Sequence, residues 1–96
     1  MLAAPDKPSL TASPTYSFPP SNIILLLRNI PEQSKEVCLI LDSETAEYRS
    51  DCHEWQGERS MRTEFKGVGQ GDYIAGASID GKIVATAKVV VVGGEP

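Results

Sequence analysis

Between Gly71 and Val92, apolar and small residues recur at every second position in two runs, separated by Ser78-Ile79-Asp80-Gly81-Lys82. Side chains of a strand alternate between its two faces. Tyr73, Ala75, Ala77 and Ile79 therefore share one face of a first strand, and Ile83, Ala85, Ala87, Val89 and Val91 one face of a second. Asp-Gly between such runs ordinarily marks a two-residue type I′ turn. That turn pairs Ile79 with Lys82 and sets the Tyr/Ala row beside Lys82, Thr86 and Lys88, and a slip of one residue exchanges the faces. A three-residue loop, Ile79-Asp80-Gly81, with Gly81 in a left-handed bulge pairs Ser78 with Lys82 and unites both apolar rows. Ser at the first and Gly at the fourth position of a type I turn suit that loop. The facing of the side chains predicts the bulged hairpin.

Upstream, Ser21–Ile30 (SNIILLLRNI) is apolar on both faces for five residues and lies between Pro20 and Pro31, the pattern of a buried strand. Glu36–Asp42 (EVCLILD) alternates, with Val37, Leu39 and Leu41 on one face and Cys38 and Ile40 on the other. Ser43–Glu47 reads as a turn, with a single helical turn over 43–48 as the competing reading because Glu and Ala favour helix. Tyr48–Trp55 is the return strand, Gln56–Ser60 a polar loop, and Met61–Phe65 a short strand leading through Gly67–Gly71 into the hairpin. Residues 1–20 hold five of the seven prolines. Proline removes a backbone donor and restricts its predecessor, so this segment is a linker or a leading edge strand, with Leu10-Thr11-Ala12 opening the first strand. Ser13–Pro20 as a polyproline-type ligand for another module is the alternative. Six or seven short strands, with turn signals between them and no convincing helix, predict an all-β sandwich over residues 21–93, followed by a tail at 94–96.

Composition narrows the picture. At 96 residues the chain holds one domain at most, and a domain of this size buries roughly 60–65% of its unfolded surface, enough for a single marginal core. A net charge of −4 argues against a nucleic-acid partner, because such modules usually carry a basic face. No run approaches the roughly 20 apolar residues of a membrane-spanning helix, so no membrane insertion is expected. Met1–Pro5 lacks the basic start and apolar stretch of a signal peptide. The Pro-rich beginning and the Gly93-Gly94-Glu95-Pro96 end suggest a domain of a longer protein.

At Val68-Gly69-Gln70-Gly71-Asp72-Tyr73-Ile74-Ala75 the chain resembles the immunoglobulin-like and fibronectin-like sandwiches, including the early-set group. In those families an apolar residue, a Gly or Asp turn and a Tyr entering the penultimate strand form a corner whose hydroxyl bonds to backbone a few residues upstream. The resemblance places Tyr73 in that role and Ala75 where an antibody-type domain has its second Cys. It spans residues 10–92 in strand spacing, with its motif confined to Phe65–Ala75. The penultimate strand has no Cys, and Trp55 follows both cysteines, which favours an early-set or fibronectin-like relative over the receptor type. The implied fold is an immunoglobulin-like sandwich of about seven antiparallel strands.

Cys38 and Cys52 flank the Ser43–Glu47 turn and stand directly opposite if the hairpin centres on Thr45. A disulfide is the expectation, and with it an oxidising compartment: extracellular, lumenal or cell-surface. Two separate thiols are the alternative. Asp51-Cys52-His53-Glu54 is the one cluster of metal-ligand types, but alternation points 51 and 53 one way and 52 and 54 the other. With a single His and no Cys-x-x-Cys pair, neither a metal site nor a cofactor is expected. His53 has no Ser or Cys at a telling spacing, so no catalytic residue is assigned. Gly67-Val68-Gly69-Gln70-Gly71 lacks the Lys and the following helix of a phosphate loop and reads as a crossover turn.

Trp55, Tyr48, His53, Arg49 and Arg59 form the candidate binding surface, since aromatic residues and Arg dominate binding hot spots. The bland reading is that Trp55 fills the core. The expected function is a non-catalytic module for protein interaction, adhesion or domain spacing, with a protein or a neighbouring domain of the same chain as partner. A carbohydrate-binding sandwich with Trp55 and Tyr48 as platform is one alternative, and an accessory domain packed on an enzyme domain is the other.

Overall fold

A computed structural model of the chain describes residues 7–44 and 47–93. Eight strands run through the described residues, with no helix among them: β1 Ser9–Ser13, β2 Tyr16–Ser17, β3 Ser21–Arg28, β4 Glu36–Asp42, β5 Arg49–Glu54, β6 Ser60–Val68, β7 Gly71–Ile79 and β8 Lys82–Val91. They form a three-stranded sheet, β1-β3-β6, and a five-stranded sheet, β2-β8-β7-β4-β5. The Ser43–Glu47 connection falls partly on residues 45 and 46, and the 94–96 tail wholly on residues, outside those described.

One core fills the space between the sheets. It takes Ile23, Leu25 and Leu27 from β3 and Met61, Phe65 and Val68 from β6. From the other sheet come Val37, Leu39 and Leu41 of β4, Tyr73, Ala75, Ala77 and Ile79 of β7, and Val89 and Val91 of β8. These are the alternating positions of each strand, so period-two patterning becomes burial directly. β3 ends two residues before the sequence pattern does, because Asn29 is left-handed (φ 63°). Its side-chain amide donates to the Lys7 carbonyl at 3.1 Å. Ile30 remains fully buried beyond the strand, its N–H donating to the Arg59 carbonyl. β6 runs past the expected Phe65 because Val68 pairs with Ser21 and is buried.

The Pro-rich segment serves both sheets. β1 lies antiparallel to β3, the chain then changes sheet around Pro14, and β2 lies parallel to the end of β8. The hydrogen bonds there run from Val90 N–H to the Thr15 carbonyl and from Val92 N–H to the Ser17 carbonyl.

The β7–β8 hairpin departs from the expected loop. Ile79 pairs with Lys82, and Asp80 and Gly81 both have positive φ (51° and 86°), the signature of the two-residue type I′ turn. The extra residue lies inside β8. Ala77 pairs with Ala85 but Ser78 with Ile83, so Val84 is left over as a bulge. That bulge shifts the phase of β8 by one, which turns Ala85, Ala87, Val89 and Val91 inward. It also turns Ile83 outward, against the inward placement expected for it, and Ile83 is 59% exposed. The turn is fixed from outside the hairpin. Asp80 Oδ1 accepts the N–H groups of Lys35 and Glu36, both at 2.9 Å, and Asp80 N–H donates to the Glu36 carbonyl.

Candidate functional site

Strand register maps the outer face of the five-stranded sheet row by row. Ile74 lies between Lys88 and Asp42; Gly76 lies between Thr86 and Ile40, with Ser50 beyond; Ser78 lies between Ile83 and Cys38, with Cys52 beyond. The middle of this face is built from small residues, and three isoleucines stand around it. Ile83 reaches over Gly76, its Cδ1 3.9 Å from where a Cβ on that glycine would stand. Ile74 is exposed, Ile40 is half-buried, and the bulge residue Val84 is exposed beside Ile83. A solvated antiparallel face ordinarily alternates to polar residues, so isoleucine in three rows needs an explanation. The rim is acidic. Glu36 and Glu54 pair at one end, while Asp42, Glu44 and Asp72 line an open depression of about 520 Å³ at the other, with Lys88 as its one cation.

Cys38 and Cys52 form a disulfide across β4 and β5, on this same face. They are directly opposed, with Cα atoms 4.0 Å apart, which the hairpin centre at Thr45 anticipates. Cys38 is buried by its neighbours, whereas Cys52, on the edge strand, is exposed.

The inner face of β5 carries polar groups at the open flank of the sandwich. Asp51 Oδ2 accepts from Thr63 Oγ1 of β6 at 2.6 Å, and His53 Nε2 lies 2.8 Å from Asp51 Oδ1. Arg49 pairs with Glu47 and donates to the Lys66 and Gly67 carbonyls. Glu47 Oε1 in turn accepts the Gly69 N–H at 3.2 Å. The hydrogen bond from Arg49 is the main reason the Glu47 carboxyl is held below its ordinary value. The Gly67–Gly71 stretch is thus the crossover between sheets, gripped from both sides, because the Tyr73 hydroxyl donates to the Gly69 carbonyl at 3.0 Å. Burial, and secondarily the Glu47 charge, pushes that phenol upward.

The residues singled out from sequence do not converge. Tyr48 and Trp55 bracket β5 and stand about 20 Å apart along it. Trp55 is half-buried against the core, its Nε1–H donating to the Glu58 carbonyl, while Tyr48 is 61% exposed. Arg59 belongs to the Trp55 end, and Arg49 is committed to the crossover at the Tyr48 end. Arg49, His53 and Trp55 lie on the inner side, with Asp51 among them, and Tyr48 lies on the opposite side. The outward isoleucines belong to the rows complementary to the core, which strand alternation locates as readily as the core itself. Ile40 and Ile74 sit at outward positions of correctly placed strands, and that placement was the available signal. The chain matches no model of a known protein family, and no curated protein proves similar to it.

Proposed function

We propose that this chain is a non-catalytic, immunoglobulin-like module of a larger protein, working in an oxidising compartment and contacting a protein partner through the outer face of its five-stranded sheet. The observation that carries this reading is the group of Ile40, Ile74 and Ile83 set around Gly76 and Ser78 on a solvated face. Contiguous exposed apolar surface on a small domain marks contact sites. The acidic rim favours a partner, or a neighbouring domain, that presents an apolar centre bordered by Lys and Arg. Support for the immunoglobulin-like fold comes from the three-on-five strand order and from the Tyr73–Gly69 bond at the crossover. The disulfide favours an extracellular, lumenal or cell-surface setting.

Ile74→Asp with Ile83→Asp places charge on the face without touching the core. Binders selected from a displayed peptide library against the natural sequence should be enriched in basic and apolar residues and should lose binding to this double variant. Binders that hold the variant equally well would move the contact surface elsewhere.

A further inference from the structure

We propose that Cys38–Cys52 is a thiol–disulfide exchange site, addressed at Cys52, whose opening releases β5 from the sheet while the rest of the sandwich stays folded. The first observation concerns what holds β5. The strand is an edge, paired on one side only, with β4. None of its six residues is buried. β1, also an edge, sets Leu10 and Ala12 against the core, and β6 buries Met61 and Phe65. β5 has no such anchor. Among the described residues, its ties apart from the ladder with β4 and the disulfide are the Asp51–Thr63 hydrogen bond and the Glu47–Arg49 grip on the crossover. These are side-chain polar contacts near solvent, each weak in water. Trp55 packs on the core and holds the chain just past the strand, so the strand can leave while the following loop stays in place.

The second observation is access. Cys52 is exposed on the outer face, whereas Cys38 is 8% exposed. Exchange begins with a thiolate attacking a disulfide sulfur, and exposed disulfides are the labile ones. The reductant is a small or protein dithiol. Its thiolate bonds to Cys52 Sγ, the Sγ–Sγ bond breaks, and the electron pair leaves on Cys38 Sγ, which takes a proton from solvent. The second thiol of the reductant then closes on the first sulfur and expels the Cys52 thiolate. Two electrons pass to the protein, and the dithiol becomes a disulfide. With β5 gone, β4 becomes the edge strand, and the backbone of Val37–Leu41 on that side is left without its partner.

Hydrogen exchange on the whole chain, without denaturant and with or without dithiothreitol, tests this. Reduction should proceed faster than the exchange of the most protected β7 amides. The reduced protein should then show exchange across residues 49–54 accelerated about tenfold or more, with Ala75 and Ala77 still protected. The C38S/C52S variant should show the same pattern with no reductant present. Three results would overturn the proposal: reduction that keeps pace with global unfolding, a reduced protein whose β5 is as protected as before, or protection lost from both sheets together.

Discussion

Tyr73→Phe isolates one atom of the crossover. The ring fills the core and is 1% exposed, so Phe leaves no cavity behind it. What disappears is the 3.0 Å bond to the Gly69 carbonyl. A neutral hydrogen bond contributes about 1 kcal/mol net, and orphaning a fully buried acceptor costs about 1–3 kcal/mol. Gly69 is half-exposed, so water can reach its carbonyl, and the loss should stay near 1–1.5 kcal/mol. Unfolding entropy of about 2.1 cal/mol/K per residue gives about 0.2 kcal/mol/K for 96 residues. The midpoint of thermal unfolding, followed by circular dichroism, should therefore drop by about 5–7 °C, with an unchanged urea m-value. Tyr73→Ala serves as the reference, since it adds a cavity and should cost about 3–5 kcal/mol. A Phe variant melting within about 1 °C of the natural protein, beside a strongly destabilised Ala variant, would show that the ring alone pins the crossover.

The hairpin and the titrating groups give further expectations. Gly81 has φ 86° and open space where a Cβ would go, so Gly81→Ala should cost only the backbone term, about 1–2 kcal/mol by urea unfolding. A neutral result would contradict the left-handed turn. Deleting Val84 removes the bulge while keeping every β7–β8 pair, so stability should change by less than about 1 kcal/mol, with the Ala77–Ala85 contact still seen by NMR. Asp80 is held low by the N–H groups of Glu36 and Lys35, and Glu47 chiefly by Arg49. Both bind protons less tightly folded than unfolded. Their stabilisation is thus present above about pH 4 and is lost as pH falls through their folded values, and Asp80→Asn should flatten that acid limb in urea midpoints. Tyr73 has the opposite sign. Its raised value confers stability below about pH 10 that is lost as pH climbs through the folded value, a limb absent from Tyr73→Phe.

What the sequence made legible was facing. β4 begins and ends where alternation places it, and opposing Cys38 to Cys52 needs only a count across the turn. The same facing argument showed that the hairpin requires one unpaired residue, but not where it sits. Loop and strand positions give identical inner rows from Ala85 onward. The choice rests on Asp80 reaching backbone N–H groups more than forty residues away, a contact no local pattern encodes. Tyr48 and Trp55 look like a pair only in composition. Seven positions along an extended strand separate them and reverse their faces, which the strand assignment itself implied. The polar inner face of β5 was harder to see, because Arg49, Asp51 and His53 point the way core residues would. Charges turned inward on an edge strand deter pairing with another chain, and their partners on β6 and the crossover come from the folded topology alone.

The parallel pairing of β2 with β8 has a mechanical consequence. Once β1 has left β3, tension passing along the chain draws β2 back toward its beginning and β8 forward toward its end. Because the two run the same way, the Val90–Thr15 and Val92–Ser17 bonds share that load in shear instead of opening one after the other. Val90→Pro deletes the donor to Thr15 and should lower the rupture force in single-molecule pulling; an unchanged force would put the resistance elsewhere. A two-residue strand that adds little to the core would then set how firmly the sandwich resists tension applied along the chain.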